Sequence, residues 1–146
     1  MGPAILLLSL SLISALPPEV FQQNQGLLIE QLQNPSPDVR INALRKLAEL
    51  RQPETLPKVI PSLEDPNSEV RFYAIRTLAK MPTEDSLNAL KARIGKDGDP
   101  YLESELKRSI RGVEDSLKTA AAKLDKDAQK KDEKAKRPAA KNSAKP

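Results

Sequence analysis

Residues 36–48 read SPDVRINALRKLA and residues 67–79 read NSEVRFYAIRTLA. Val39-Arg40, Ala43, Arg45 and Leu47-Ala48 thus recur 31 residues later as Val70-Arg71, Ala74, Arg76 and Leu78-Ala79. Self-similarity at a period of ~20–50 residues marks stacked supersecondary units, none of which buries its apolar face alone. Within each copy the apolar positions fall three and four apart, the spacing of one helix face.

Working outward, each copy is the second helix of a pair. Ahead of the first copy, Val20, Leu27, Leu28 and Leu32 form one helical face to about Gln33, and residues 34–37, NPSP, break it. Ser36 is a good N-cap and Pro37 stands where a missing N–H costs nothing. Ahead of the second copy, Leu56, Val59, Ile60 and Leu63 repeat the face before the turn at residues 65–67, DPN. Pro57 and Pro61 each remove a donor there, so that helix is expected to be short, kinked or late to start. A third unit follows at a spacing of 32: Leu87, Leu90 and Ile94, the turn at residues 97–100, DGDP, then Leu102, Leu106 and Ile110. Ser36, Asn67 and Asp99 share the N-cap place, and Leu32, Leu63 and Ile94 share the last-turn place. Two independent signals thus agree on one register.

The apolar series continues through Val113, Leu117, Ala120 and Leu124, a heptad-like seam from Leu106. It is shorter than the ~3–4 heptads that mark a coiled coil, and is read as a last helix that caps the stack and overruns it. After Lys126 the Lys/Ala-rich chain has no apolar period and is expected to be disordered. At the other end, residues 4–16, AILLLSLSLISAL, span roughly 20 Å as helix, short of the ~30 Å hydrocarbon core. Their length fits the apolar core of an export signal with Ala15 at the cleavage place. Against this, no Lys or Arg precedes the run and Ile13 is not small. The alternative is a first helix packed on the end of the stack. Export would make the protein periplasmic or extracellular; otherwise it is cytoplasmic.

Composition narrows the chemistry. Aromatics are 3% with no Trp, so the core is aliphatic, which suits helices better than sheet. Cys and His are both absent, which removes disulfides, thiol chemistry, zinc sites with those ligands and His-based acid–base pairs. No nucleophile has a base beside it and no glycine loop opens a helix to hold phosphate, so no catalytic residue, metal ligand, cofactor or small-molecule substrate is assigned. The net charge of +4 is uneven: from Lys118 on, ten Lys/Arg face four Asp/Glu, which leaves residues 1–117 at −2.

The succession of a Leu-containing helix, an Asp-Pro turn, Val-Arg, Ala three residues on and Leu-Ala four after that resembles the HEAT repeats, especially their short, phycobilisome-lyase-like class, over residues 19–113. The third unit departs from it, with Glu103 for the arginine and Leu106 for the small Ala. The expected fold is all-α: a short right-handed α-solenoid of about three HEAT-like helix pairs (residues 18–117), preceded by the apolar segment 1–16 and followed by the tail 118–146, helical at first and then disordered. The resemblance implies that Arg40 and Arg71 pair with the Asn34 and Asp65 turns and tie neighbouring repeats together. Glu103 cannot donate, so this ladder ends at the third unit, as suits a terminal repeat.

The resemblance also places the second helices on the concave face, which would stack Arg45, Arg76 and Arg108 about 10 Å apart. Lys46, Lys80, Lys107 and Arg111 flank them and Tyr73 lies nearby. Such a positive row suits an acidic protein face or a phosphate backbone; the bland alternative is a solvated helix side offset by Glu49 and Glu105. The expected function is a non-catalytic scaffold or adaptor for a protein partner, with Arg45, Lys46, Tyr73, Arg76, Lys80 and Arg108 as the contact residues. The alternative is a polyanion binder, of nucleic acid or an anionic envelope surface, acting through the tail and the arginine row. A bilin-lyase-related accessory role ranks below both, since the lyases of that class are longer. The sequence leaves the oligomeric state open.

Overall fold

Among the described residues the apolar spacing folds into six α-helices in the order α1 (Pro18–Gln31), α2 (Pro37–Leu50), α3 (Leu56–Val59), α4 (Ser68–Ala79), α5 (Glu84–Arg93) and α6 (Pro100–Lys136). The computed structural model describes residues 18–136, with side chains described from residue 24 to residue 132. The segment 1–16 read as an export signal lies outside the described residues. Helices α2, α4 and α6 stack side by side in one layer, while α1, α3 and α5 pack against them from the other. The result is the short all-α solenoid expected from the repeat.

Small residues let the layer close up. Ala43 and Ala74 are completely buried, and the Thr77 hydroxyl sits between two carbonyl acceptors, Tyr73 O of its own helix at 2.7 Å and Leu44 O across the α2–α4 contact at 3.1 Å. Around them Leu44, Leu47, Val70, Ile75, Leu78, Leu90 and Val113 are buried to 1% exposure or less. Leu47 and Leu78 hold the same core place in successive repeats, so the register read from the sequence is the packing register. Truncating such a side chain typically costs ~2–5 kcal/mol.

Caps fix where the helices begin. Asn67 accepts the N–H groups of Glu69 and Val70 at 2.9 and 3.1 Å, and Thr83 forms a reciprocal capping box with Ser86. Ser36 occupies the N-cap of α2 without a side-chain cap bond; Asn34 Oδ1 instead accepts the Ser36 N–H at 2.9 Å.

The first helix of the second unit is reduced to the single turn of α3, set between 3-10 turns at Pro53–Thr55 and Ile60–Glu64. Pro53, Pro57 and Pro61 recur every four residues and each withholds a donor, so no long i→i−4 ladder forms. Ile94 departs from its expected place. Leu32 and Leu63 are 4% exposed but Ile94 is 46% exposed, because α5 ends at Arg93 and the backbone turns extended at Ile94. Gly95 then takes φ +75°, a conformation costly for residues with a Cβ.

Helix α6 packs on α4 and α5 as far as Val113, with Leu117 half-buried. Every described residue from Lys118 to Asp132 is exposed. The helix nevertheless continues to Lys136, ten residues past Lys126, and the remainder of the tail expected to be disordered, residues 137–146, lies outside the described residues. Lys, Ala and Gln are strong helix formers and need no burial to extend a helix already begun. Among the described residues, no helix is long and apolar enough to cross a membrane.

Candidate partner-binding surface

Two sets of cations stand on the stacked helices, and only one of them is used up internally. At the turn edge, Arg40 forks to Asp65 through Nε and Nη2, both at 2.8 Å, while its Nη1 donates to Asn34 O and Pro35 O at 2.7 and 3.1 Å. Arg71 repeats the pattern one unit on, with Nη1 to Asp65 O at 2.8 Å and Pro66 O at 3.2 Å and its fork on Asp97. Each arginine thus holds the carbonyls of its own turn and the carboxylate of the next. Arg40 and Asn34 therefore meet through the backbone carbonyl, and the carboxylate that Arg71 reaches belongs to Asp97 rather than Asp65. Asn34, Asp65 and Asp97 occupy one place in the register, and the two that receive a guanidinium are the two that carry charge.

Asp97 is also the end of a second approach. Arg93, 9% exposed at its side chain, donates to Asp97 Oδ2 at 3.1 Å and to Glu64. Burial works against the Arg93 charge, but hydrogen bonds to Glu64 and Asp97 outweigh it and hold the guanidinium above its usual range. Glu103, where an arginine would continue the ladder, instead accepts the Gly95 N–H at 3.2 Å and pairs with Lys107.

The other cations line an open groove of about 550 Å³ between α2 and α4. Arg45 and Arg51 stand on the α2 side and Arg76 and Lys80 on the α4 side, with Glu49 the one carboxylate of the lining. Ala48, Tyr73 and Thr77 complete it. Arg45, Arg51 and Lys80 make no ion pair among the described residues; Arg76 reaches Glu105 only at 4.0 Å. Arg51 closes α2 in the left-handed conformation, φ 49° and ψ 43°, its N–H donating to Leu47 O at 3.1 Å.

Beside the groove lies an aromatic shelf. Phe72 stacks on Tyr101 with ring centroids 5.5 Å apart and meets Tyr73 edge-on at 5.4 Å. The Arg76 guanidinium lies 5.6 Å from the Phe72 centroid, within cation–π range. Tyr101 is 67% exposed. The chain has two Phe and two Tyr, so three of its four aromatic rings meet here, Phe72 and Tyr73 half-buried at the edge of the core and Tyr101 out on the surface.

Of the residues singled out from the sequence, Arg45, Tyr73, Arg76 and Lys80 share the groove. Lys46 does not: it faces a separate hollow with Leu27 and Leu50, between α1 and α2. Arg108 stands outside it as well, 76% exposed and paired with Glu105 at 3.5 Å in its own helix. Arg51, Phe72 and Tyr101 are added by the structure. Arg51 has no repeat counterpart, since Pro82 occupies the equivalent place, and the aromatic residues come together only when α4 and α6 stack. Scarcity of aromatics was the one signal available in advance.

Chemically the face offers forked donors for carboxylates, a positive field and flat apolar rings. Among the described residues, no three acidic side chains cluster as a metal site would require. The family model for HEAT repeats matches residues 27–111, from within α1 to the end of the first third of α6. No curated protein matches the chain.

Proposed function

Because the chain belongs to the HEAT-repeat family, whose repeats commonly act as protein-interaction scaffolds and are typically non-catalytic, we propose that it is a non-enzymatic adaptor that holds a protein partner on the α2–α4–α6 face. The aromatic shelf carries this reading. An exposed aromatic ring beside arginine is the composition of a binding hot spot, and here the exposed Tyr101 rests on the half-buried Phe72, itself beside Tyr73 and Arg76. Stacked repeats offer an extended face of this kind rather than a closed pocket.

The test is photo-crosslinking in the native cell with benzoylphenylalanine at Tyr101 and, as control, at the exposed Asn88 of α5. A discrete adduct from Tyr101 and none from Asn88 is expected. Equal labelling at both positions, or none from Tyr101, overturns the reading.

A second reading, binding of a polyanion such as nucleic acid or an anionic envelope surface, draws on the exposed Lys118, Lys123, Lys126, Lys130 and Lys131 of α6. Truncation after Leu124 would then remove most salt-sensitive retention on heparin and leave the solenoid folded. Where the partner resides follows from residues 1–16: if they are an export signal, mature protein begins near Leu16 and meets its partner outside the cytoplasm.

A further inference from the structure

Resting on the interaction reading above, we propose that the segment bound on this face is an extended acidic peptide with one aromatic or large apolar anchor, the anchor seated on Phe72 and Tyr101 and the acidic arm lying in the α2–α4 groove.

Charge complementarity sets the sign. Four cations and a single carboxylate, Glu49, line the groove, and three of the cations have no ion-pair partner among the described residues. The fourth, Arg76, is held only loosely by Glu105, whose carboxylate also meets Arg108 at 3.5 Å. Arginine forks bind carboxylates in pairs of parallel hydrogen bonds, so a partner bearing Asp or Glu supplies what the fold withholds.

Backbone conformation points the same way. A left-handed residue with a Cβ costs roughly 1–2 kcal/mol, and where α5 gives way to its turn the chain uses glycine, Gly95, for it. At the end of α2 it keeps Arg51, whose side chain lines the groove.

Geometry favours a peptide over a nucleic acid. The groove follows α2 from Arg45 to Arg51, roughly 9 Å, which an extended peptide covers in about three residues. Single-stranded nucleic acid stacks successive bases on rings spaced along a basic track, whereas here the rings form one compact shelf at the side of the cations. Arg76 joins the two regions, since it lines the groove and lies over Phe72, so anchor and arm belong to one ligand.

The experiment titrates the full chain into fluorescein-labelled probes: a short peptide with one Phe followed by a run of Glu, the same peptide with Ser for Phe, the same with Lys for Glu, and an oligothymidylate of matching charge. We expect the Phe–Glu peptide to bind tightest. Arg45→Glu with Lys80→Glu should weaken it by about tenfold or more and turn the preference toward the Lys peptide. Tyr101→Ser should weaken the Phe–Glu peptide several-fold while leaving the Ser-substituted one unchanged. All replaced side chains are exposed, and circular dichroism confirms that each variant is folded.

Equal binding of acidic and basic peptides, or no effect of the charge reversal, overturns the proposal. So does an oligonucleotide that binds as tightly as the Phe–Glu peptide and ignores Tyr101. If Tyr101 crosslinks a partner through a segment without acidic residues, the acidic-peptide inference fails while the adaptor reading stands. If the peptides behave as expected but no adduct forms at Tyr101, the adaptor reading fails instead.

Discussion

Arg40 and Arg45 stand five residues apart in α2, as do Arg71 and Arg76 in α4, which puts each pair about 140° apart around its helix. The first member of each pair points into the turn edge, where it is sheathed by two backbone carbonyls and a carboxylate. The second faces the groove, exposed and with little or no counter-charge. One residue type at one repeat spacing thus serves two ends. At the turn edge the guanidinium is a tie between repeats, and its interactions are complete within the molecule. At the groove edge it is left to solvent, with little or no counter-charge inside the molecule.

Breaking the tie should have the largest effect. Asp97 serves Arg71 and Arg93, whose side chains are 16% and 9% exposed. Asp97→Ala takes a carboxylate from both, and removing one partner from a buried pair typically costs ~3–5 kcal/mol. We expect a loss near the lower end, because Glu64 and the Asp65 carbonyl remain as partners. Urea unfolding measures it, and a loss below about 1 kcal/mol would place this network with surface ion pairs.

Arg51→Gly should move stability the opposite way. It relieves roughly 1–2 kcal/mol of left-handed strain and gives back roughly 0.5–1 kcal/mol to the freedom of glycine in the unfolded chain, so the thermal midpoint should rise by a small margin. The same variant should bind the Phe–Glu peptide less well. A fall in both quantities would show Arg51 to be a structural cap.

Arg45→Ala with Lys80→Ala should leave stability within about 0.5 kcal/mol of the parent, since neither side chain is buried or ion-paired. A larger loss would mean that the groove cations also hold the solenoid together.

The smallest effect concerns an exposed tie, Lys91 to Glu114 at 2.7 Å. The hydrogen bond from Lys91, and then its charge, hold the Glu114 carboxyl below its usual range. A carboxylate with a lowered folded-state pKa stabilises above its unfolded value and loses that contribution as pH falls through the folded one. The pair therefore matters at neutral pH and fades in acid, as pH falls through the lowered folded-state value. Carboxyl NMR titration should find Glu114 low in the parent and back in the ordinary range in Lys91→Ala.

Most of the fold was legible in the sequence because packing repeats with the residues: Ala43 with Ala74, Leu47 with Leu78 and the turn prolines are all local signals. The tie was legible by residue type and not by partner. Spacing identifies which arginines recur, but a side chain in the first turn of α2 or α4 reaches forward to the next turn, and only the stacking distance decides that. Ile94 misled for a related reason. Its place in the register is apolar in two units, yet Arg93 takes the inward position beside Asp97 and the helix stops a residue early. Of the groove, Arg45, Tyr73, Arg76 and Lys80 were readable from the repeat. Arg51 was not, because it follows the last helical residue, and Tyr101 was not, because its neighbour Phe72 lies in another helix. The length of α6 past Lys126 was missed because burial was taken as the requirement for order, where helix propensity alone extends an established helix.

That extension should behave differently on heating from the packed solenoid. From Lys118 to Asp132 no described side chain is buried, so each further turn of α6 is held by its own backbone bonds and grows from a nucleus supplied by the packed half of the helix. Such a helix unwinds from its free end one turn at a time rather than all at once. Ellipticity should therefore drift steadily well below the cooperative transition of the solenoid, and amide exchange should quicken turn by turn from Val113 towards Lys136, a gradient along one continuous helix.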